Sequence, residues 1–143
     1  GALYLVHDKL PVKTVSLAGD WTGEANGKPV TLTFPGTGTA SDPSQEVMIP
    51  ADWKDKYVVT YYARGDGNST LGVVVGNHYP VRHLNDGNTD VEIDITPYLH
   101  FGEKNLISPM YRLGDYVGKM NAPVSWNISQ IELRLYPKAE YRN

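Results

Sequence analysis

Asp90-Val91-Glu92-Ile93-Asp94-Ile95-Thr96 is the stretch whose reading decides the fold class. Val91, Ile93 and Ile95 alternate with Glu92, Asp94 and Thr96, which is the two-residue period of a strand with one face on a core and the other in water. The same period recurs on both sides of it. Val30, Leu32 and Phe34 alternate with Thr31 and Thr33, and Ile131, Leu133 and Leu135 alternate with Glu132, Arg134 and Tyr136. Two runs, YVVTYYA (57–63) and LGVVVG (71–76), are apolar on both faces or nearly so and read as central strands. Helical periodicity is nearly absent. The expected class is all-β, an antiparallel β-sandwich.

Turn chemistry separates these runs. Asn26-Gly27, Gly65-Asp66-Gly67-Asn68 and Asn85-Asp86-Gly87-Asn88 use residues that accept positive φ at low cost. The prolines fall at run ends or in loops, where a sheet tolerates a missing donor. GTGTASDPSQ (36–45) is the most loop-like segment by composition. One short stretch departs from the β pattern: Thr96 is placed as an N-cap, Pro97 at the first helical position and Gly102 as a stop, so a single helical turn is expected there.

The chain has 143 residues, 41% of them apolar, enough for one domain with its own core. A single domain over 1–143 is expected, with its core over about 14–137 and a tail at 138–143. The formal charge of −3 argues against a nucleic-acid partner, which would require a cationic surplus. With no Cys, disulfides, thiol catalysis, thiolate zinc sites and iron–sulfur clusters are excluded. No stretch approaches the apolar length that spans a bilayer, and the start GALYLVHDKL lacks the pattern of a signal peptide. No HExxH, GxSxG, phosphate-cradling loop or nucleotide fingerprint is present. Acids in suggestive context fall on strand faces or turns rather than in a cleft that would raise one pKa. A non-catalytic domain is expected.

Six landmarks occur in a telling order: LAGDW (17–21), IPADW (49–53), YVVTYYAR (57–64), VVVGNHYPVRHLNDGNTDVEIDIT (73–96), YLHFGEKNLI (98–107) and WNISQIELRLYP (126–137). Together they resemble the galactose-binding-like jelly-roll sandwich, in particular the sugar-binding domain that accompanies the barrel in glycoside hydrolase family 2 enzymes. The match is good at Asp94-Ile95-Thr96 and at Leu99, Gly102, Asn105 and Leu106. It departs at Gly76-Asn77, where the family has Asn-Gly. The resemblance implies a glycan or polysaccharide partner, a larger parent enzyme and an extracellular setting. It also allows a structural calcium, for which the residues give no position, and no other cofactor is implied.

Trp21, Trp53 and Trp126 coincide with landmarks of the fold and are expected in packing. The candidate carbohydrate-binding residues are those of irregular segments: Tyr79, Arg82 and His83 in one loop, and Tyr111, Arg112 and Tyr116 in another. Tyrosine offers a flat face for sugar C–H groups, and Arg and His offer donors, Arg in bidentate fashion to a carboxylate. The plainer alternative is that these tyrosines cover the sandwich ends, in a structural or protein-interaction domain of a larger enzyme or of a phage or virion surface. His78 and His83 have no defined ligand geometry at their spacing, so no metal site is expected there. Asp86, Asn88, Asp90 and Glu92 read as a turn followed by a wet strand face. Arg64-Gly65-Asp66 reads as strand end and turn.

Overall fold

Nine strands account for nearly all regular structure in the computed structural model, which describes residues 10–66, 69, 72–78, 80, 89–110 and 123–138. They are β1 (Lys13–Ser16), β2 (Gly19–Ala25), β3 (Lys28–Phe34), β4 (Gly36–Ile49), β5 (Tyr57–Gly65), β6 (Gly72–Val75), β7 (Asp90–Asp94), β8 (Glu103–Met110) and β9 (Val124–Pro137). A one-turn helix α1 (Trp53–Lys56) precedes β5, and a 3₁₀ turn (Thr96–Tyr98) follows β7. All pairings are antiparallel. Their order is β3-β2-β4-β9-β5-β7, with β1 also on β9 and with β8 joining β6 to β4.

The sheet doubles back at β4. Gly36–Ala40 of this strand pair with β9, whereas Gln45–Ile49 pair with β8. Between the two halves, Asp42 adopts φ 47° ahead of Pro43, and the register against β2 shifts between Thr22 and Glu24. This is a β-bulge at a corner, where one strand passes from one wall of a sandwich to the other. The walls bury a shared core: Val59, Tyr61, Leu133 and Leu135 from one side, and Trp21, Phe34, Ile49 and Ile107 from the other. The expected all-β sandwich is what forms.

The loop reading of 36–45 is corrected: those residues lie in β4, a strand as long as β9. Their small side chains reflect close packing rather than disorder of direction. A Cβ on Gly38 would sit 2.3 Å from Leu32 Cδ2. Ala40 is fully buried, and its carbonyl accepts the Trp126 Nε1–H at 3.0 Å. Composition alone cannot separate a glycine that turns the chain from one that admits a neighbour.

Two smaller corrections follow from pairing. Among the described residues, β6 pairs as a strand only with β8, so it is an edge strand rather than a central one. Val73 and Val75 are in the core while Val74 is half-buried. An apolar run reports burial on two faces, which says nothing about neighbours on two edges. Pro29, Pro43 and Pro109 lie within β3, β4 and β8; Pro29 is on a strand that edges the sheet order and Pro43 is in the bulge.

Thr96 does not cap the 3₁₀ turn. Its hydroxyl accepts the Val59 N–H at 2.8 Å and donates to the Val59 carbonyl at 3.2 Å, tying the turn to β5. Asp94 Oδ1 instead accepts the Thr96 N–H at 2.9 Å. The turn ends at Tyr98, and Gly102, with φ 86°, makes the bend into β8. Asn26-Gly27 closes the β2–β3 hairpin with both φ values positive, 54° and 78°, the geometry its residues predict. The three tryptophans are buried as expected, Trp21 and Trp126 in β2 and β9 and Trp53 in α1.

Candidate functional site

Tyr79, Arg82, His83, Tyr111, Arg112 and Tyr116 all lie outside the described residues. What is described is the rigid ground from which the first of their loops departs. There β6 turns through Gly76-Asn77 into His78. The Val75 N–H donates to the His78 carbonyl at 3.0 Å, and the His78 N–H returns to the Val75 carbonyl at 2.9 Å. Gly76 takes φ 58° in this two-residue turn, and its N–H donates to the Leu106 carbonyl at 2.8 Å. The reversed Gly-Asn order therefore suits a hairpin whose first central residue needs positive φ.

Facing this hairpin is the segment between the 3₁₀ turn and β8. Asn105 is buried and spends its whole side chain on backbone. Its Oδ1 accepts the His100 N–H at 2.8 Å, and its Nδ2 donates to the carbonyls of His100 and Glu103 at 2.9 and 3.0 Å. The His100 backbone is thus held by both of its polar groups. The His78 ring lies 5.2 Å from the Tyr98 ring, tilted by 40°. Between these elements is a cleft of about 190 Å³ lined by Asn77, His78, Tyr98, His100, Lys104 and Asn105 among others. A neighbouring cleft of about 300 Å³ lies along Asp42, Ser44, Val74, Ser108 and Met110 and shares Leu106 with the first.

The opposite wall carries a polar cluster of another kind. The wet-face reading of Glu92 is corrected: its side chain is only 9% exposed. It accepts hydrogen bonds from the Thr60 hydroxyl at 2.8 Å, from Arg134 Nη1 at 3.3 Å and from the Tyr136 hydroxyl. Arg134 also donates from Nε to Glu132 at 2.8 Å, and its guanidinium lies 3.6 Å from the centre of the Tyr62 ring. Tyr62 donates in turn to Asp90 at 3.2 Å. Burial first, and then the Glu92 carboxylate, hold the Tyr136 hydroxyl protonated far above the ordinary tyrosine range. The alternation in 90–96 correctly separated the two faces. It could not show that cross-strand neighbours on β5 and β9 would close over the polar one.

Among the described residues no group of three His, Asp or Glu side chains is placed to hold a metal. Arg64-Gly65-Asp66 is strand end and turn as read: Gly65 pairs with Ile128, and Asp66 Oδ1 accepts the Ser69 N–H at 2.8 Å. The cleft adds Tyr98, His100, Lys104 and Asn105 to the candidates. All four belong to the landmark YLHFGEKNLI, which reads as a fold signature, and only pairing with the Gly76-Asn77 turn gives them a common ligand-accessible edge.

No protein-family model and no curated protein sequence matches the chain. Solved structures do. A β-D-glucuronidase of Dictyoglomus thermophilum aligns over 88% of this chain and 28% of its own, at TM-score 0.62 and 16% identity. A putative β-galactosidase of Bacteroides fragilis aligns over 88% and 23%, at TM-score 0.62 and 16% identity. A Ruminococcus gnavus β-glucuronidase aligns over 91% and 30%, at TM-score 0.59 and 16% identity. The chain spans less than a third of each of these proteins. The likeness establishes a fold shared with part of these glycoside hydrolases, in line with the sandwich that the six landmarks resemble.

Proposed function

We propose that this chain is a non-catalytic β-sandwich module of a larger glycan-processing protein, and that it binds a glycan through its end loops. The observation that carries this reading is the match itself, which takes in about nine-tenths of this chain and under a third of each glycoside hydrolase. A unit that recurs as a fraction of large enzymes suits an accessory role, while fold alone leaves the ligand to the site. Tyr79, Tyr111 and Tyr116 supply stacking faces in this proposal, and Arg82, His83 and Arg112 supply donors. Affinity per site is weak and is raised by multivalency in the parent assembly. The module works where polysaccharide is met, outside the cell or on a particle surface. No helix among the described residues is long and apolar enough to cross a membrane.

Calorimetric titration against a broad glycan panel tests the proposal. Saturable binding that Tyr79→Ala or Tyr111→Ala weakens about tenfold, a loss of ~1.4 kcal/mol, is the expected result. Flat titrations across the panel would sink it.

One observation favours a protein interface as the second reading. Met48 and Leu106 are 55% and 47% exposed, and their pairing places them on adjoining strands β4 and β8. Light scattering alone and with the rest of the parent protein separates the two readings, a stable complex without glycan binding favouring the interface.

A further inference from the structure

We propose that the cleft between the Gly76-Asn77 turn and the start of β8 is a binding site for the anionic substituent, carboxylate or sulfate, of an acidic sugar. This rests on the reading of the chain as a glycan-binding module and assigns that module a ligand class and a contact surface separate from the six loop residues.

Three observations converge. The first is the character of the lining: Lys104, His78 and His100 supply an ammonium and two imidazoles, with the Asn77 amide beside them. Among the described residues no carboxylate lines this cleft. The acids that pairing brings nearest are Glu46, opposite Leu106, and Glu103, opposite Ile49. Among the described residues neither forms an ion pair with Lys104. A compact ammonium in such a setting takes an anion as a point charge, and imidazole N–H groups add directed donors.

The second is rigidity. His100 stands on backbone that Asn105 holds at both the N–H and the carbonyl, and His78 follows a turn bonded to Leu106 and backs onto the Tyr98 ring. Donors fixed before binding lose little freedom when the ligand arrives. The buried amide of Asn105 contacts backbone only, so it positions the site and does not bind.

The third is size. About 190 Å³ holds the equivalent of about six waters. That is below the roughly 300–1,000 Å³ that encloses a whole small molecule. The cleft accommodates the charged end of one sugar residue while the remainder of the chain lies outside it. Tyr98, partly buried against the core, lines the same cleft and offers that residue an apolar wall.

The test is ¹⁵N–¹H NMR titration of the full chain with sodium glucuronate, glucose 6-sulfate, glucose and sodium chloride. Saturable shifts at the His78, His100 and Asn105 amides with either anionic sugar, absent with glucose and with chloride, are expected. Lys104→Gln should weaken that response by up to about fivefold, the upper end for one exposed ion pair, and Lys104→Gln with His100→Gln should abolish it. Both side chains are exposed, so the variants keep the fold. A response confined to glucuronate or to the sulfate names the substituent. Equal shifts with glucose, or none with either anion, overturn the site. If neutral glycans still bind through Tyr79 or Tyr111 in that case, the glycan-binding reading survives without it; if nothing binds, both fall.

Discussion

Two polar regions of this sandwich use similar residues to opposite ends. On the outer face of β5, β7 and β9, Glu92 receives Thr60, Arg134 and Tyr136, and Arg134 is further engaged by Glu132 and the Tyr62 ring. Each of these polar groups has a partner within the sheet. At the β6–β8 end the buried Asn105 side chain serves the backbone, while Lys104, His78 and His100 line an open cleft. A saturated network has no capacity left for a ligand, so it fixes the register of three strands. A set of donors on clamped backbone has capacity to spare. The difference between structure and recognition lies in which hydrogen bonds remain unmade.

That contrast can be broken, beginning with its most closed part. Glu92→Ala removes one acceptor from three donors in a half-buried setting and should lower stability by about 3 kcal/mol, read as the shift of the urea midpoint. Glu92→Gln, which keeps shape and one acceptor, should cost distinctly less. If Glu92→Ala is tolerated with no measurable loss, the cluster is solvated and the comparison fails. Asn105→Ala should cost about 2 kcal/mol, because the His100 N–H and carbonyl lose their partner. It should also speed amide hydrogen exchange at residues 100–105 more than at β5, whereas uniform acceleration would remove Asn105 from its role at the cleft.

The smallest effect is expected on the core side of the same strands. The Tyr61 hydroxyl is buried with no hydrogen-bond partner among the described residues, and burial drives its pKa strongly upward. Tyr61→Phe should therefore be neutral or stabilise by up to about 1 kcal/mol. A clear loss of stability would mean that the hydroxyl has a partner in solution, such as an ordered water.

Much of the architecture was legible because alternation is a local property. Val30 to Phe34, Val91 to Ile95 and Ile131 to Leu135 each place their apolar set on the core as read. Asn26-Gly27 made its hairpin for an equally local reason. Strand β4 was illegible, since Gly38 admits the Leu32 side chain of the neighbouring strand and the Ala40 carbonyl takes the indole N–H of Trp126 from far along the chain, contacts that composition does not show. The cleft was half legible. Asn77 and His78 belong to the loop singled out for binding, around 77–86, whereas His100 and Lys104 read only as part of a fold signature.

By itself the amino-acid sequence determined that the chain is all-β, that its tryptophans pack inside and that thiol chemistry is absent, because strand period, turn residues and composition act over a few neighbours. Only the tertiary structure decided that β4 turns the corner between walls, that Glu92 is enclosed and that His78, His100 and Lys104 share one edge. Those outcomes depend on which strands pair and in what register, and pairing is set by the whole core at once.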